Sequence, residues 1–219
     1  RCYTMRALVT GMGGFIGSHL ADFLLDKGFE VYGTFYKEKR HMPKEAHAIK
    51  CDVSKKKDVN NAVRTANPDY IFHMAAQSFV VPSWHDPDGT MRANVIGTLN
   101  IIEAVKGSDC IISAACSSAE YGFTRRSELP IKERKELRPS SPYAVSKVAA
   151  DIISHVYFNA YGTKLFRLRF FNIIGPRKKM DASSDFAKGI TEVEKGKKKY
   201  LDVGNLNGIR DFTDVRDAV

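Results

Sequence analysis

Tyr143 and Lys147 stand four residues apart in Pro142-Tyr143-Ala144-Val145-Ser146-Lys147, a spacing that puts both on one face of a helix. A phenol with an ordinary pKa of about 10 is a poor proton carrier at neutral pH. An ammonium one turn away favours the phenolate and draws that pKa towards a useful range. Ser117, in Cys116-Ser117-Ser118-Ala119-Glu120-Tyr121-Gly122, adds a hydroxyl able to hydrogen-bond the same substrate oxygen that Tyr143 protonates. A Tyr/Lys pair at this spacing occurs on many helices, so the pattern alone is weak.

It gains weight from Thr10-Gly11-Met12-Gly13-Gly14-Phe15-Ile16-Gly17 near the N-terminus. Gly11, Gly14 and Gly17 recur every third residue between an apolar strand predicted at 5–10 and an amphipathic helix predicted at 15–27. A turn with so little Cβ lets backbone approach a pyrophosphate, and a helix N-terminus offers free N–H donors and a positive dipole end. Glycines also recur in purely structural turns. The strand-turn-helix setting favours a dinucleotide site, with Gly11, Gly14, Phe15 and Ile16 against the cofactor.

The elements that must position these groups alternate along the chain. A second strand, 29–36, ends at Thr34, Tyr36 and Lys37, with Arg40 close behind. NAD-selective sites carry a carboxylate there for the ribose hydroxyls. These residues instead tolerate or bind a 2′-phosphate, which favours NADP while leaving NAD possible; the alternative is a plain basic loop. A third run, 48–51, ends in Asp52-Val53, where Asp52 either accepts from the adenine amino group or ends the strand. A helix capped by Ser54 is predicted to residue 66. The fourth strand, 69–73, empties into Met74-Ala75-Ala76-Gln77-Ser78, and the small Ala75 and Ala76 allow close approach of a cofactor. His73, with no partner at ligand spacing, reads as a packed, hydrogen-bonded residue.

An ordered loop is expected at 78–88 and one long helix at 89–105, with Asn94 and Thr98 on the same face. Strand 110–115 leads to Ser117, a polar excursion fills 123–138, and Ser141 and Pro142 open the Tyr/Lys helix. A strand at 164–170, a helix at 184–194 and a last strand near 200–203 complete the pattern. Strands alternating with helices over short connections predict an α/β fold, a Rossmann-type doubly wound parallel sheet.

Composition sets limits. The 219 residues are 43% hydrophobic and 27% charged, with a net charge of +9, and suit an ordinary globular chain. Apolar runs are too short for a membrane span, and no signal peptide is expected before the first strand. The four cysteines, Cys2, Cys51, Cys110 and Cys116, lack metal or disulfide spacing and predict reduced residues of a cytoplasmic protein with no metal. Lysine clusters at 37–44, 55–57 and 195–199 accompany no nucleic-acid motif and read as a solvated basic surface, which would also attract an anionic nucleotide.

Taken together, the glycine motif, His73-Met74-Ala75-Ala76-Gln77-Ser78, the Ser117 segment and Tyr143-x-x-x-Lys147 resemble the extended short-chain dehydrogenase/reductase family over essentially the whole chain. The resemblance implies a catalytic triad of Ser117, Tyr143 and Lys147, with Lys147 also holding the nicotinamide ribose and Asn94 completing the hydrogen bonding. It implies a dinucleotide-binding domain at 5–171 and a substrate-binding lobe at 172–219. Relatives usually continue past Arg210-Asp211-Phe212-Thr213-Asp214-Val215-Arg216-Asp217, so that lobe is expected to be incomplete. Residues 1–4 precede a natural-looking start at Met5. A homodimer through helices 89–105 and 142–161 is also implied.

Ala75-Ala76-Gln77-Ser78, Ser83-Trp84 and Val203-Gly204-Asn205-Leu206 before Arg210 look like the GDP-mannose dehydratase and GDP-4-keto-6-deoxymannose reductase branch. That likeness assigns Gln77, Ser78, Asn172 and Arg210 to a GDP-sugar substrate. Taken alone, Arg210 would read as a surface ion pair with Asp211 or Asp214. Dehydratases carry a glutamate two residues before Tyr-Gly, where this chain has Ala119; its glutamate, Glu120, is shifted by one. In extended chain such a slip turns the side chain to the other face, although a bulge could still present it. The expectation is 4-keto reduction of GDP-4-keto-6-deoxymannose with Tyr143 as proton donor. Dehydration or 4-epimerisation is the alternative, and a non-catalytic dinucleotide sensor a second one.

Overall fold

The computed structural model describes residues 4–219; the sequence expectation for Cys2 lies outside them. Six parallel strands form one sheet in the order β3-β2-β1-β4-β5-β6. They are β1 (Arg6–Thr10), β2 (Glu30–Phe35), β3 (His47–Lys50), β4 (Tyr70–His73), β5 (Ile111–Ser117) and β6 (Leu165–Phe170). Helix α1 (Phe15–Asp26) connects β1 to β2, and α2 (Lys56–Ala66) connects β3 to β4. These two crossovers run in opposite directions across the sheet, so right-handedness sends their helices to opposite faces. Ala7, Leu8 and Val9 are therefore all fully buried, as a central strand covered on both sides requires.

Leu8, Ile71 and Ile112 project into a core with Val59, Ala62 and Ala66 of α2 and with Ile101 and Ile102. The last two belong to α5 (Gly97–Ala104), the end of a helical stretch that starts with α3 (Val80–His85) and α4 (Pro87–Met91). Between α4 and α5 lies a π-helical turn, Arg92–Ile96. The loop expected at 78–88 thus contains a short helix, and the single helix expected at 89–105 carries an inserted π turn. The Tyr/Lys helix, α6 (Pro142–Tyr161), begins as predicted: the Ser141 hydroxyl accepts the Ala144 N–H at 3.1 Å, and Pro142 needs no partner.

Two other expectations fail locally. Ser54 does not cap α2, because its N–H and hydroxyl both bond Asp52 Oδ1, and Lys55 takes the cap position without a side-chain bond. No strand forms at 200–203. From Phe171 onward the chain forms a second compact unit, in which β7 (Asn172–Ile174) pairs in parallel with β8 (Phe212–Asp214). That unit also holds α7 (Ala182–Glu194), capped by Asp181, and α8 (Val215–Ala218).

Candidate active site

Reversal of strand order puts a crevice at the C-terminal ends of β1 and β4, the usual ligand position in a doubly wound sheet. The glycine turn sits there. Gly11 has φ +66°, and a Cβ on it would lie 2.9 Å from the Ala75 Cα; one on Gly17 would lie 2.5 Å from the Gly11 carbonyl oxygen. The turn is held from below by Thr34, whose buried hydroxyl accepts the Gly11 N–H at 3.0 Å. Thr34, expected at the cofactor ribose, thus has its hydroxyl bracing the turn. Thr10 Oγ1 accepts the Ala75 N–H at 3.1 Å, which fixes the β4 loop against the same turn. Gly14 caps α1 with no side-chain bond, so Phe15 and Ile16 open the helix with their amide end clear of any capping side chain. Such a cradle fits a dinucleotide pyrophosphate.

Beyond the end of β2, Tyr36 and Lys37 line an open cavity of about 600 Å³ with Lys50, Asp52, Lys55 and Asp58. Lys50 and Asp58 carry no signal in the sequence, and Lys55 only that of a basic cluster, because only strand pairing brings the end of β3 beside the end of β2. Asp52 Oδ1 is committed to Ser54, and its N–H bonds Asp58. Val53 is a core residue whose carbonyl accepts from Asn100, leaving backbone as its means of contact. Arg40 is ion-paired with Glu38 on the exposed segment that packs over Gly13.

Ser117, Tyr143 and Lys147 come together from β5 and α6. Lys147 is buried and its ammonium donates to the Ala115 carbonyl at 2.6 Å. Burial lowers its pKa, partly offset by Cys116 and Glu120. Burial likewise holds the Tyr143 phenol above its ordinary value; Ser117 draws it back, while Glu120 and Cys116 add to the rise. Burial, rather than the neighbouring Lys147, sets the direction of the Tyr143 shift, against the depression expected from the sequence. The Tyr143 N–H donates to Ser83 Oγ of α3 at 3.1 Å, and its carbonyl accepts from Ser146 Oγ at 2.6 Å.

Asn94, in the π turn, locks this site to the β4 loop. Its Nδ2 donates to the Gln77 carbonyl and to Ser146 Oγ, both at 2.9 Å, and its Oδ1 accepts the Gln77 N–H at 2.8 Å. The Gln77 side chain, expected on substrate, bonds Phe79 and Thr90 within its own loop. Ser78 is exposed. His73 is a satisfied core residue, as predicted, with Thr10 Oγ1 at 2.8 Å and Thr98 Oγ1 at 3.1 Å.

Glu120 is fully buried and does not reach out as an acid–base group. Ser118–Tyr121 is a 3-10 turn rather than extended chain, and one residue there rotates a side chain by about 120°. In the second unit, the Asn172 amide donates to the Asp211 carbonyl at 3.0 Å, and exposed Arg210 donates to the Ile209 carbonyl. Asp214 pairs with Arg216.

A six-stranded doubly wound sheet, a glycine turn at its switch point and a Ser/Tyr/Lys cluster beside it define an extended short-chain dehydrogenase/reductase. Within that class, a family model described as GDP-mannose 4,6 dehydratase matches residues 8–219, and the chain belongs to this family. It is 31% identical over 97% of its length to a GDP-mannose 4,6-dehydratase of Vibrio cholerae, and spans 62% of that protein. It is 30% identical over 99% of its length to a GDP-6-deoxy-D-mannose reductase of Pseudomonas aeruginosa, spanning 68% of it. The structure of Thermus thermophilus UDP-glucose 4-epimerase in complex with NAD superposes with a TM-score of 0.86 at 34% identity, over 98% of this chain and 72% of that one.

Proposed function

We propose that the protein is an NADP-dependent nucleotide-sugar oxidoreductase, and that its reaction is reduction of the 4-keto group of GDP-4-keto-6-deoxymannose. The reading rests above all on Glu120. The one carboxylate of the Ser117–Gly122 segment points into the core, and Ala119 stands where the dehydratases have their glutamate. Elimination of water needs an additional acid–base group beside Ser117 and Tyr143; keto reduction does not.

Gly11, Gly14, Phe15, Ile16, Ala75 and Ala76 would hold the pyrophosphate end of the cofactor, and Asp52 and Val53 its adenine. Lys37, Arg40, Lys50 and Lys55 favour a 2′-phosphate by charge, although NAD fits the same cradle. A nicotinamide dinucleotide supplies the hydride that a ketone carbon accepts. The chain's own residues do the rest. Ser117 hydrogen-bonds the keto oxygen, and Tyr143 delivers the proton as negative charge develops there. A phenol held above its ordinary pKa is fully protonated at neutral pH, the form a proton donor needs. The Lys147 ammonium, anchored on Ala115, stabilises the phenolate left behind. Ser78, Asn172 and Arg210 are assigned to the substrate, the guanidinium suiting a diphosphate.

Epimerisation at C4 is a second reading, favoured by the likeness to NAD-bound UDP-glucose 4-epimerase, since it too needs only Ser/Tyr/Lys chemistry. Incubation of the protein with the keto sugar plus NADPH, with GDP-mannose and with UDP-glucose separates the three. Stoichiometric NADPH oxidation only with the keto sugar supports reduction. A keto product from GDP-mannose, or UDP-galactose from UDP-glucose, without net cofactor turnover overturns it. Tyr143→Phe should abolish turnover while NADPH still binds, which a non-catalytic sensor would not display.

A homodimer is proposed through α6, where Val145, Ile152 and Val156 form an exposed apolar stripe. No helix of the described residues is long and apolar enough to cross a membrane. The buried thiols of Cys51, Cys110 and Cys116 suit the reducing cytoplasm proposed for the protein.

A further inference from the structure

Behind the Ser/Tyr/Lys cluster lies a buried ionic network that the proposed reaction does not use. Glu120 Oε1 accepts the Ser117 backbone N–H at 2.8 Å, and Oε2 lies 3.2 Å from Arg169 Nε. Arg169, on β6 directly opposite Cys116, also donates from Nε to Asp151 Oδ2 at 2.7 Å. Its Nη1 donates to the Tyr121 hydroxyl at 2.9 Å and to the Glu133 carbonyl at 2.6 Å. Asp151 accepts further from Arg167 at 2.5 Å and stands on α6 one turn beyond Lys147 and two beyond Tyr143. Glu120 and Asp151 are both essentially inaccessible to water. A buried carboxylate is retained at a cost, and removing one partner of such a set leaves the rest uncompensated.

We propose that Glu120 is a positioning residue. It ties the end of β5, through the Ser117 backbone, to the Arg169–Asp151 pair, and so holds Ser117 in register with the helix that carries Tyr143 and Lys147. The titratable and charged groups that act on it are Cys116 on β5, Tyr143, Lys147 and Asp151 on α6, and Arg169 on β6, with Arg167 bonded to Asp151 and Tyr121 to Arg169. Burial pushes the Glu120 carboxyl well above its ordinary value; the Ser117 N–H opposes this, Asp151 adds to it and Arg169 opposes it. At Asp151 burial also raises, but hydrogen bonds from Arg169 and Arg167 win, so the pair's negative charge resides on Asp151 first. Ionised Glu120 in turn raises the pKa values of both Tyr143 and Lys147. Its protonation state therefore reaches the reacting groups without contact with substrate.

Nitrogen-15 NMR of the Ser117 amide in the intact protein tests the linkage independently of activity. In the unsubstituted protein that amide should titrate with a midpoint above the ordinary glutamate value of about 4.3. The response should vanish in Glu120→Gln, whose amide oxygen can still accept the N–H, and persist in Glu120→Asp. An amide that does not titrate, or titrates equally in Glu120→Gln, overturns the proposal.

The kinetic consequence rests on the proposed role of Tyr143 as proton donor. With the Glu120 charge gone, the alkaline limb of kcat for keto reduction should move to lower pH by roughly one unit, with KM for the keto sugar little changed. An unmoved limb beside a normal amide titration would leave the wiring intact and refute its effect on Tyr143. Absence of any keto reduction in the unsubstituted protein would refute the functional reading, and the amide titration would still decide the role of Glu120.

Discussion

Replacing His73 by glutamine should remove a defined part of the acid sensitivity of folding. His73 is buried between two threonine hydroxyls, and its pKa is pushed down to about 3, chiefly by burial and further by Lys147. The unfolded chain takes up a proton as pH falls through about 6.5, whereas the native chain resists until about 3. Stability contributed by the neutral ring is thus complete above the unfolded value and drains away on acidification towards the folded one. At about 1.36 kcal/mol per pK unit, the loss between about pH 7.5 and about pH 5 comes to roughly 2 kcal/mol. With a urea m-value of about 2–3 kcal/mol/M, the midpoint of the unsubstituted protein should fall by about 0.7–1 M relative to that of His73→Gln. Glu120 acts in the opposite sense, since its raised pKa makes the native state hold a proton that the unfolded state releases. Its effect is common to both proteins and cancels in the difference. The quantity to plot is therefore stability of the unsubstituted protein minus that of His73→Gln, from urea melts across this pH range. A flat difference would refute the neutral-histidine account.

Four further outcomes are expected. Asn94→Ala removes three hydrogen bonds of a buried side chain at about 1 kcal/mol each, so unfolding free energy should drop by about 3 kcal/mol in denaturant melts. Gly17→Ala drives a Cβ to 2.5 Å from the Gly11 carbonyl oxygen, and should weaken NADPH binding by calorimetry at least about tenfold while costing about 1–3 kcal/mol of stability. Lys37→Glu should weaken NADPH by about 10- to 100-fold and NADH far less, the worth of one charged hydrogen bond to a 2′-phosphate. Ile152→Glu, half-exposed on α6, should halve the mass seen by light scattering with little change in melting temperature.

Most of the architecture was legible because each strand is short, apolar and followed by a helix or a small-residue turn. The 5–10 strand, the glycine turn and the Ser141–Pro142 helix start all carry local signals that burial reinforces. What escaped was set by tertiary placement. Thr34 sits at the right place in the chain for a ribose contact, but that its hydroxyl also accepts the Gly11 N–H depends on how β2 lies beside the glycine turn. Lys50 and Lys55 enter the same cavity as Lys37 only because β3 pairs with β2. Asp151 could have been suspected from its spacing of four and eight from Lys147 and Tyr143. Arg169, which joins it to Glu120, lies on a different strand, and no periodicity connects them. A strand at 200–203 was suggested by apolar residues, but the partner of β7 proved to be 212–214.

The π turn at Arg92–Ile96 has a consequence for what lengths of chain this fold can tolerate. A π turn amounts to one residue more than an α-helix would use. Deleting any one residue there would give α4 and α5 a continuous, better-bonded helix. Residues on one side of the cut would then be turned by about 100° relative to the other. Either Asn94 would leave the Gln77 loop and Ser146, or Ile101 and Ile102 would leave the core. The local gain in helix would be a global loss of register. An insertion that looks like a defect in the ladder of one helix is what allows it to serve two differently phased surfaces.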